Sequence, residues 1–134
     1  EEHARLEALA ARLGVRERVH LLGAVDHDLL PVILSAADAM VRPSASEGIA
    51  NAWIEALACG TPLVICDAGG AREIVDRPEA GVVVARDPAA IAAGITEVLA
   101  RNPPPDAVAA TVAGFSWQAH AAALAAYYER LIGG

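Results

Sequence analysis

The sequence predicts an α/β fold in which a parallel sheet is covered by helices on both faces. Three observations predict it. Short apolar runs rich in Val, Ile and Leu alternate with longer amphipathic stretches, the pattern of repeated strand–helix units. The apolar runs are continuous rather than alternating, as expected of strands buried on both faces. Glycine, proline and capping residues punctuate the joins between them.

Taken in order, Leu6, Leu9, Ala10 and Leu13 stand at helical spacing, which predicts a helix from Glu2 to Leu13 with Gly14 as its stop. Val19–Gly23 (VHLLG) reads as a short buried strand. Asp26 or His27 then opens a second helix through LLPVILSAA, and Ala39–Arg42 forms the next strand. Pro43 and Ser44 end that strand and begin the loop SASEG. Asn51 to Cys59 reads as a short helix terminated by Gly60 and Thr61-Pro62. Leu63–Cys66 is a third strand, leading into Gly69-Gly70 and a helical turn at Ala71–Val75. Gly81–Ala85 is a β-branched run, and Asp87-Pro88 is a strong helix start, with Asp as cap and Pro in the first turn. Pro103-Pro104-Pro105 breaks the chain before a last helical stretch, whose final helix, WQAHAAALAAYYERLI, is capped by Ser116. No internal repeat is present, and the proline run is the only linker-like segment.

A chain of 134 residues suits one domain with a real core. With 55% hydrophobic and 20% charged residues it is neither disordered nor collagen-like. All ten basic residues are arginine and the net charge is −7. That balance argues against nucleic acid and anionic membrane surfaces, which need a basic footprint. Cys59 and Cys66 match no disulfide framework, metal or redox spacing and read as small buried side chains. No apolar run reaches the roughly 18 residues of a membrane span. The acidic, amphipathic start is unlike a signal peptide. The expectation is a cytoplasmic protein.

In such sheets ligands bind beyond the carboxyl ends of the strands. Three loops qualify: Gly23–Asp28, Pro43–Asn51 and Asp67–Arg72. The helix after the middle one, NAWIEALAC, has Glu55 as its only charged residue. An unpaired buried carboxylate costs several kcal/mol, so Glu55 faces a cleft or is held by a partner; a glutamate on the helix surface is the plain alternative. Glu47 lies eight residues earlier. Ionised carboxylates only accept hydrogen bonds and suit hydroxyl-rich ligands. Between the two acids, Gly48, Ile49, Ala50 and Asn51 carry amides at the helix start, where free N–H groups and the dipole favour phosphate. Acid, amides, acid is a layout for sugar, diphosphate and ribose.

The stretch SEGIANAWIEALACGTPLVICDAGGAREIV resembles the signature of group 1 (family 4) glycosyltransferases, which have the GT-B fold. Glu47 and Glu55 stand as the E-x7-E pair, Glu55, Ala56, Ala58, Gly60, Pro62 and Val64 as EAxAxGxPxV, and Gly69, Gly70, Glu73, Ile74 and Val75 as GGxxEIV. RVHLLGAV and ADAMVRPS are similar to the family's two preceding strands, and FSW with its long helix to the C-terminal end. The resemblance implies a Rossmann-like sheet and a retaining transfer of a hexose from a nucleotide-diphosphate sugar, such as a UDP- or GDP-sugar, to a hydroxyl acceptor, without a required metal. It implies that Glu55 binds ribose hydroxyls and that Glu47, the residue assigned to catalysis, holds hydroxyls of the donor sugar. The amides of Ile49, Ala50 and Asn51 would hold sugar or diphosphate, with Gly48 and Gly70 beside them. Val25 would meet the base through its backbone.

Several positions depart from the family pattern. Ala50 stands where glycine is common. The glycine-arginine pair and nearby lysine that clamp the diphosphate are absent. The resemblance thus makes residues 1–134 part of a C-terminal donor-binding domain that lacks its first strands, with the N-terminal acceptor domain absent. That missing domain would bring a saccharide or lipid-linked acceptor and any peripheral contact with the inner membrane face. The family's sheet order, 3-2-1-4-5-6, would leave VHLLG two strands away from AMVR. Unpaired strand edges are unstable. The gap is therefore expected to close by re-pairing of VHLLG, by strand exchange in a homodimer through the exposed sheet edges, or by a further piece of protein. A second reading is a non-catalytic nucleotide-binding or interaction module. A nicotinamide dinucleotide domain fits poorly, because no strand is followed by G-x-G-x-x-G.

Some residues carry two readings. His3, His20, His27 and His120 share no ligand spacing, and no metal site is expected. Arg42 and Arg72 suit phosphate or an ion pair. Gly69 and Gly70 allow close approach of a donor or a plain tight turn. Trp53, Trp117, Tyr127 and Tyr128 read as packing residues, while the resemblance implies an exposed apolar face on the last helix.

Overall fold

A computed structural model describes residues 2–133 of the chain. Residues up to Leu30 and residues from Pro31 onward form two compact units.

In the first unit, helix α1 (Glu2–Arg12) follows the leucine spacing and ends at Gly14, which takes a positive φ of 68°. Glu7 accepts a hydrogen bond from Arg16 at 2.9 Å and faces His3 one turn back. Val19 is extended and Gly23 turns to a positive φ of 68°, and Val19–Gly23 belongs to no strand ladder, correcting the expected strand. The physical reason is that a strand is defined by its neighbour: an apolar run without a partner has no ladder to join. Instead, the Val19 carbonyl accepts from the Arg16 guanidinium at 3.2 Å. Asp26 caps a 3₁₀ turn at His27–Leu29, its Oδ1 accepting from the Asp28 amide. Helix α2 (Leu30–Ser35) follows that turn, and from Pro31 onward it belongs to the second unit.

The second unit is built on three parallel strands, β1 (Met40–Arg42), β2 (Leu63–Cys66) and β3 (Gly81–Val84), in the order β1-β2-β3. Helices α3 (Asn51–Ala58), α4 (Ala71–Ile74), α5 (Pro88–Arg101), α6 (Pro105–Ala110) and α7 (Trp117–Ile132) complete it. Strand β2 is buried along its whole length, and its alternate side chains serve opposite faces. Leu63 and Ile65 join the main core with Trp53, Leu57, Ile74, Val108 and Val112. On the other face Val64, with Val82 and Val84, meets α5 at Gly94, where an added Cβ would lie 2.8 Å from a Val84 methyl carbon. Helices thus pack on both faces of the sheet, as the sequence predicts.

Local caps also match the sequence. Asp87 Oδ1 accepts from the amides of Ala89 and Ala90 at 3.0 Å to start α5, and Ser116 Oγ accepts from Ala119 to start α7. Helix α3 ends through Gly60, whose φ is 82°, and the fully buried Thr61 hydroxyl donates to the Leu34 carbonyl. Thr61→Val keeps the shape but leaves that carbonyl without its donor. We expect a loss of about 1–3 kcal/mol, read from the urea midpoint; an unchanged midpoint would mean that water replaces the hydroxyl.

Trp53 is fully buried, as expected of a packing residue, but Trp117, Tyr127 and Tyr128 are not. Trp117 is 80% exposed and the two tyrosines about half. Helix α7 has no buried residue; Tyr127 and Tyr128 lie with ring centres 6.2 Å apart, and the Arg130 guanidinium carbon sits 5.9 Å from the Tyr127 ring centre. An apolar helix stripe is buried only when another element covers it, and among the described residues none covers this one. The exposed apolar face expected of the last helix is therefore present. No described helix is long and apolar enough to cross a membrane.

Candidate functional site

Because the three strands are parallel, their carboxyl ends share one rim, and the loops leaving them meet there. Gly70 N donates to Gly48 O at 3.0 Å, joining the loop after β2 to the loop after β1. A Cβ on Gly69 would stand 2.0 Å from Glu47 O, and one on Gly70 would stand 2.4 Å from Ile49 Cγ1. Gly69 also has a φ of 52°, a left-handed conformation that disfavours side chains. The glycine pair is therefore a seat for the Glu47–Ile49 backbone. Arg86, just after β3, donates from Nε to Pro43 O at 3.1 Å and ties the third rim loop to the same segment.

On this seat the Glu47 side chain is mostly enclosed, with 17% of its surface exposed. Arg42, at the carboxyl end of β1, donates from Nε to Glu47 Oε1 at 3.0 Å. The Ser44 hydroxyl first, and the Arg42 guanidinium second, hold the Glu47 carboxyl below the usual carboxylate range. Glu47 is an ionised acceptor at neutral pH, and a carboxylate has about four acceptor positions, more than these partners use. Immediately after it, Ala50 stands at the N-cap of α3 in an extended conformation, and no side chain caps the helix. Such an end leaves amides available to a ligand.

Glu55 is exposed on α3, and none of the ion pairs among the described residues holds it. It faces an open crevice of about 800 Å³ between α3 and the start of α7. Ile49, Asn51 and Glu55 form one wall and Phe115, Trp117 and His120 the other. The structure thus gathers Ile49, Asn51 and Glu55 in one crevice. Glu47, Gly48 and Gly70 are instead joined through the rim loops, outside that lining, and Ala50 links the two groups. Val25 belongs to the first unit, in the segment before the Asp26 cap. Of the two candidate phosphate arginines, Arg42 pairs with Glu47, and Arg72 pairs with Asp67 through Nε and Nη2, the shortest contact 2.8 Å. Among the described residues no group of three or more His, Cys, Asp or Glu is arranged for a metal.

Sequence reasoning missed Arg86 as a loop tie and the whole α7 wall. No spacing signal links these residues to the Glu47 loop; only the fold does.

Comparison with known proteins gives consistent matches. The family model described as Glycosyl transferases group 1 matches residues 1–130. A D-inositol 3-phosphate glycosyltransferase of Geodermatophilus obscurus is 42% identical over 96% of this chain and 29% of its own length. A 2-deoxystreptamine glucosyltransferase of Streptomyces kanamyceticus is 30% identical over 98% of this chain and 36% of its own. Among solved structures, sucrose-phosphate synthase from Thermosynechococcus elongatus superposes with a TM-score of 0.85 at 33% identity, covering 98% of this chain and 35% of that one. The chain therefore spans about a third of the length of the proteins it matches.

Proposed function

The chain belongs to the group 1 glycosyltransferases as their C-terminal domain, and from that premise we propose that it binds a nucleoside diphosphate sugar for hexosyl transfer by the intact protein. The observation that carries the proposal is the start of α3, free of any side-chain cap and flanked by Glu47 and Glu55. In this reading the amides of Ile49, Ala50 and Asn51 and the positive helix end take up charge on the leaving diphosphate. Glu55 accepts from the ribose hydroxyls, and Glu47 accepts from hydroxyls of the sugar, aligning the anomeric carbon. Gly48 and Gly70 hold the loop against the donor. The anomeric configuration is retained and no metal takes part. The donor is a UDP- or GDP-hexose, and the acceptor is a hydroxyl of a saccharide, a lipid-linked glycan or a polyol such as those in the relatives' names.

Titration of the intact protein with UDP, GDP and their hexoses, followed by a transfer assay with the product anomer read by NMR, tests this reading. We expect saturable binding of one nucleotide series and a product of retained configuration. Failure of every nucleotide to bind would overturn it; binding without transfer would favour a non-catalytic nucleotide module. Within the same assay Glu47→Ala is expected to lower turnover about a hundredfold while changing affinity for the bare nucleotide less than threefold. Equal losses for sugar donor and bare nucleotide would move Glu47 to the nucleotide.

A further inference from the structure

We propose that Arg42 is a positioning residue for Glu47, orienting its carboxylate toward the ligand rather than meeting phosphate itself. The inference rests on the reading of Glu47 as a hydroxyl-binding acid and adds a residue to it.

Three observations carry it. The Arg42 guanidinium already donates to Glu47 Oε1 at 3.0 Å, and its Nε also lies 3.4 Å from Ser44 Oγ. Arg42 stands at the last position of β1, held in register opposite Ile65, so its backbone is as fixed as the sheet. The loop between the two residues is pinned at both ends, by Arg86 on Pro43 O and by Gly70 on Gly48 O. A glutamate side chain has three rotatable bonds and loses that freedom when it holds a ligand. A guanidinium on a rigid strand that holds one carboxylate oxygen removes part of this freedom in advance. The arginine is partly exposed, and exposed ion pairs contribute little to stability, so its effect falls on orientation and hence on turnover.

The test compares Arg42→Ala, Arg42→Lys, Glu47→Gln and the double variant Arg42→Ala/Glu47→Gln in the intact protein, with the nucleoside diphosphate hexose that wild type uses. Arg42→Ala is expected to lower kcat about tenfold with bare-nucleotide affinity unchanged, and Arg42→Lys is expected to restore part of the loss. The double variant is expected to be no slower than Glu47→Gln alone, because Arg42 acts only through Glu47. An unchanged kcat in Arg42→Ala, an equal loss of bare-nucleotide affinity, or multiplying losses in the double variant would each overturn the proposal. Arg42→Met, which keeps the apolar stem and removes the guanidinium, gives the same readout should Arg42→Ala fail to fold. Wild-type protein that binds and transfers no nucleotide sugar would instead sink the functional reading itself, before any variant is compared.

Discussion

Gly69→Ala is expected to destabilise the chain by about 3 kcal/mol and to abolish most transfer activity. A Cβ at this position would lie 2.0 Å from Glu47 O, 2.5 Å from Gly48 O and 2.7 Å from Glu47 C. These are backbone atoms, so no side-chain rotation relieves the overlap. The residue also holds a φ of 52°, which costs a non-glycine residue about 1–2 kcal/mol. The remainder of the expected loss is the displacement of a packed loop, in the usual range of about 1–3 kcal/mol. Because Gly70 N binds Gly48 O, moving this loop also moves Glu47. A fall in the urea midpoint together with lost turnover is the expected pair of results. Gly114→Ala, where nothing lies within 4 Å of the added carbon, is expected to change stability by less than about 0.5 kcal/mol. Equal stabilities for the two variants would show that the loops do not press together as described.

Glu55→Ala is the second large effect, and it falls on the ligand rather than on the fold. The side chain is exposed and joins none of the described ion pairs, so its removal leaves the helix packing on Trp53, Ala56 and Leu57 intact. If it accepts from two ribose hydroxyls, its loss weakens donor binding by about 2–4 kcal/mol, or roughly 30- to 1,000-fold. Calorimetric titration should show that weakening for sugar donor and bare nucleotide alike, with an unchanged melting curve. Undiminished donor affinity would take Glu55 out of the ribose role.

What the sequence made legible was what local chemistry decides. The continuous apolar run of β2 falls at Leu63–Cys66 as expected, and the Asp87 and Ser116 caps make the bonds their positions promised, because each depends on residues within a few positions. Val19–Gly23 was misread because an apolar run says that a strand is affordable, while pairing depends on a neighbour elsewhere in the chain. Trp117, Tyr127 and Tyr128 were misread for a related reason: their helix has the right periodicity, but no described element covers it.

The candidate site divides the same way. The loop and helix that carry Glu47 to Glu55 were legible because the two are contiguous in sequence. The ion pair of Arg42 with Glu47 turns on the side-chain direction at the end of β1. Arg86 on Pro43 O, and Phe115, Trp117 and His120 opposite Glu55, come from distant sequence positions that only the fold brings together. Glycines 69 and 70 read in sequence as a close approach of a donor or a plain tight turn; the neighbour the structure places against them is the Glu47–Ile49 segment.

The most direct test is a crystal structure of the intact protein with a bound nucleoside diphosphate hexose. We expect ribose hydroxyls within hydrogen-bond distance of the Glu55 carboxylate, diphosphate oxygens on the amides of Ile49 to Asn51, and sugar hydroxyls on Glu47 with Arg42 still at its side. A donor bound elsewhere, with the start of α3 facing only solvent, would contradict the account.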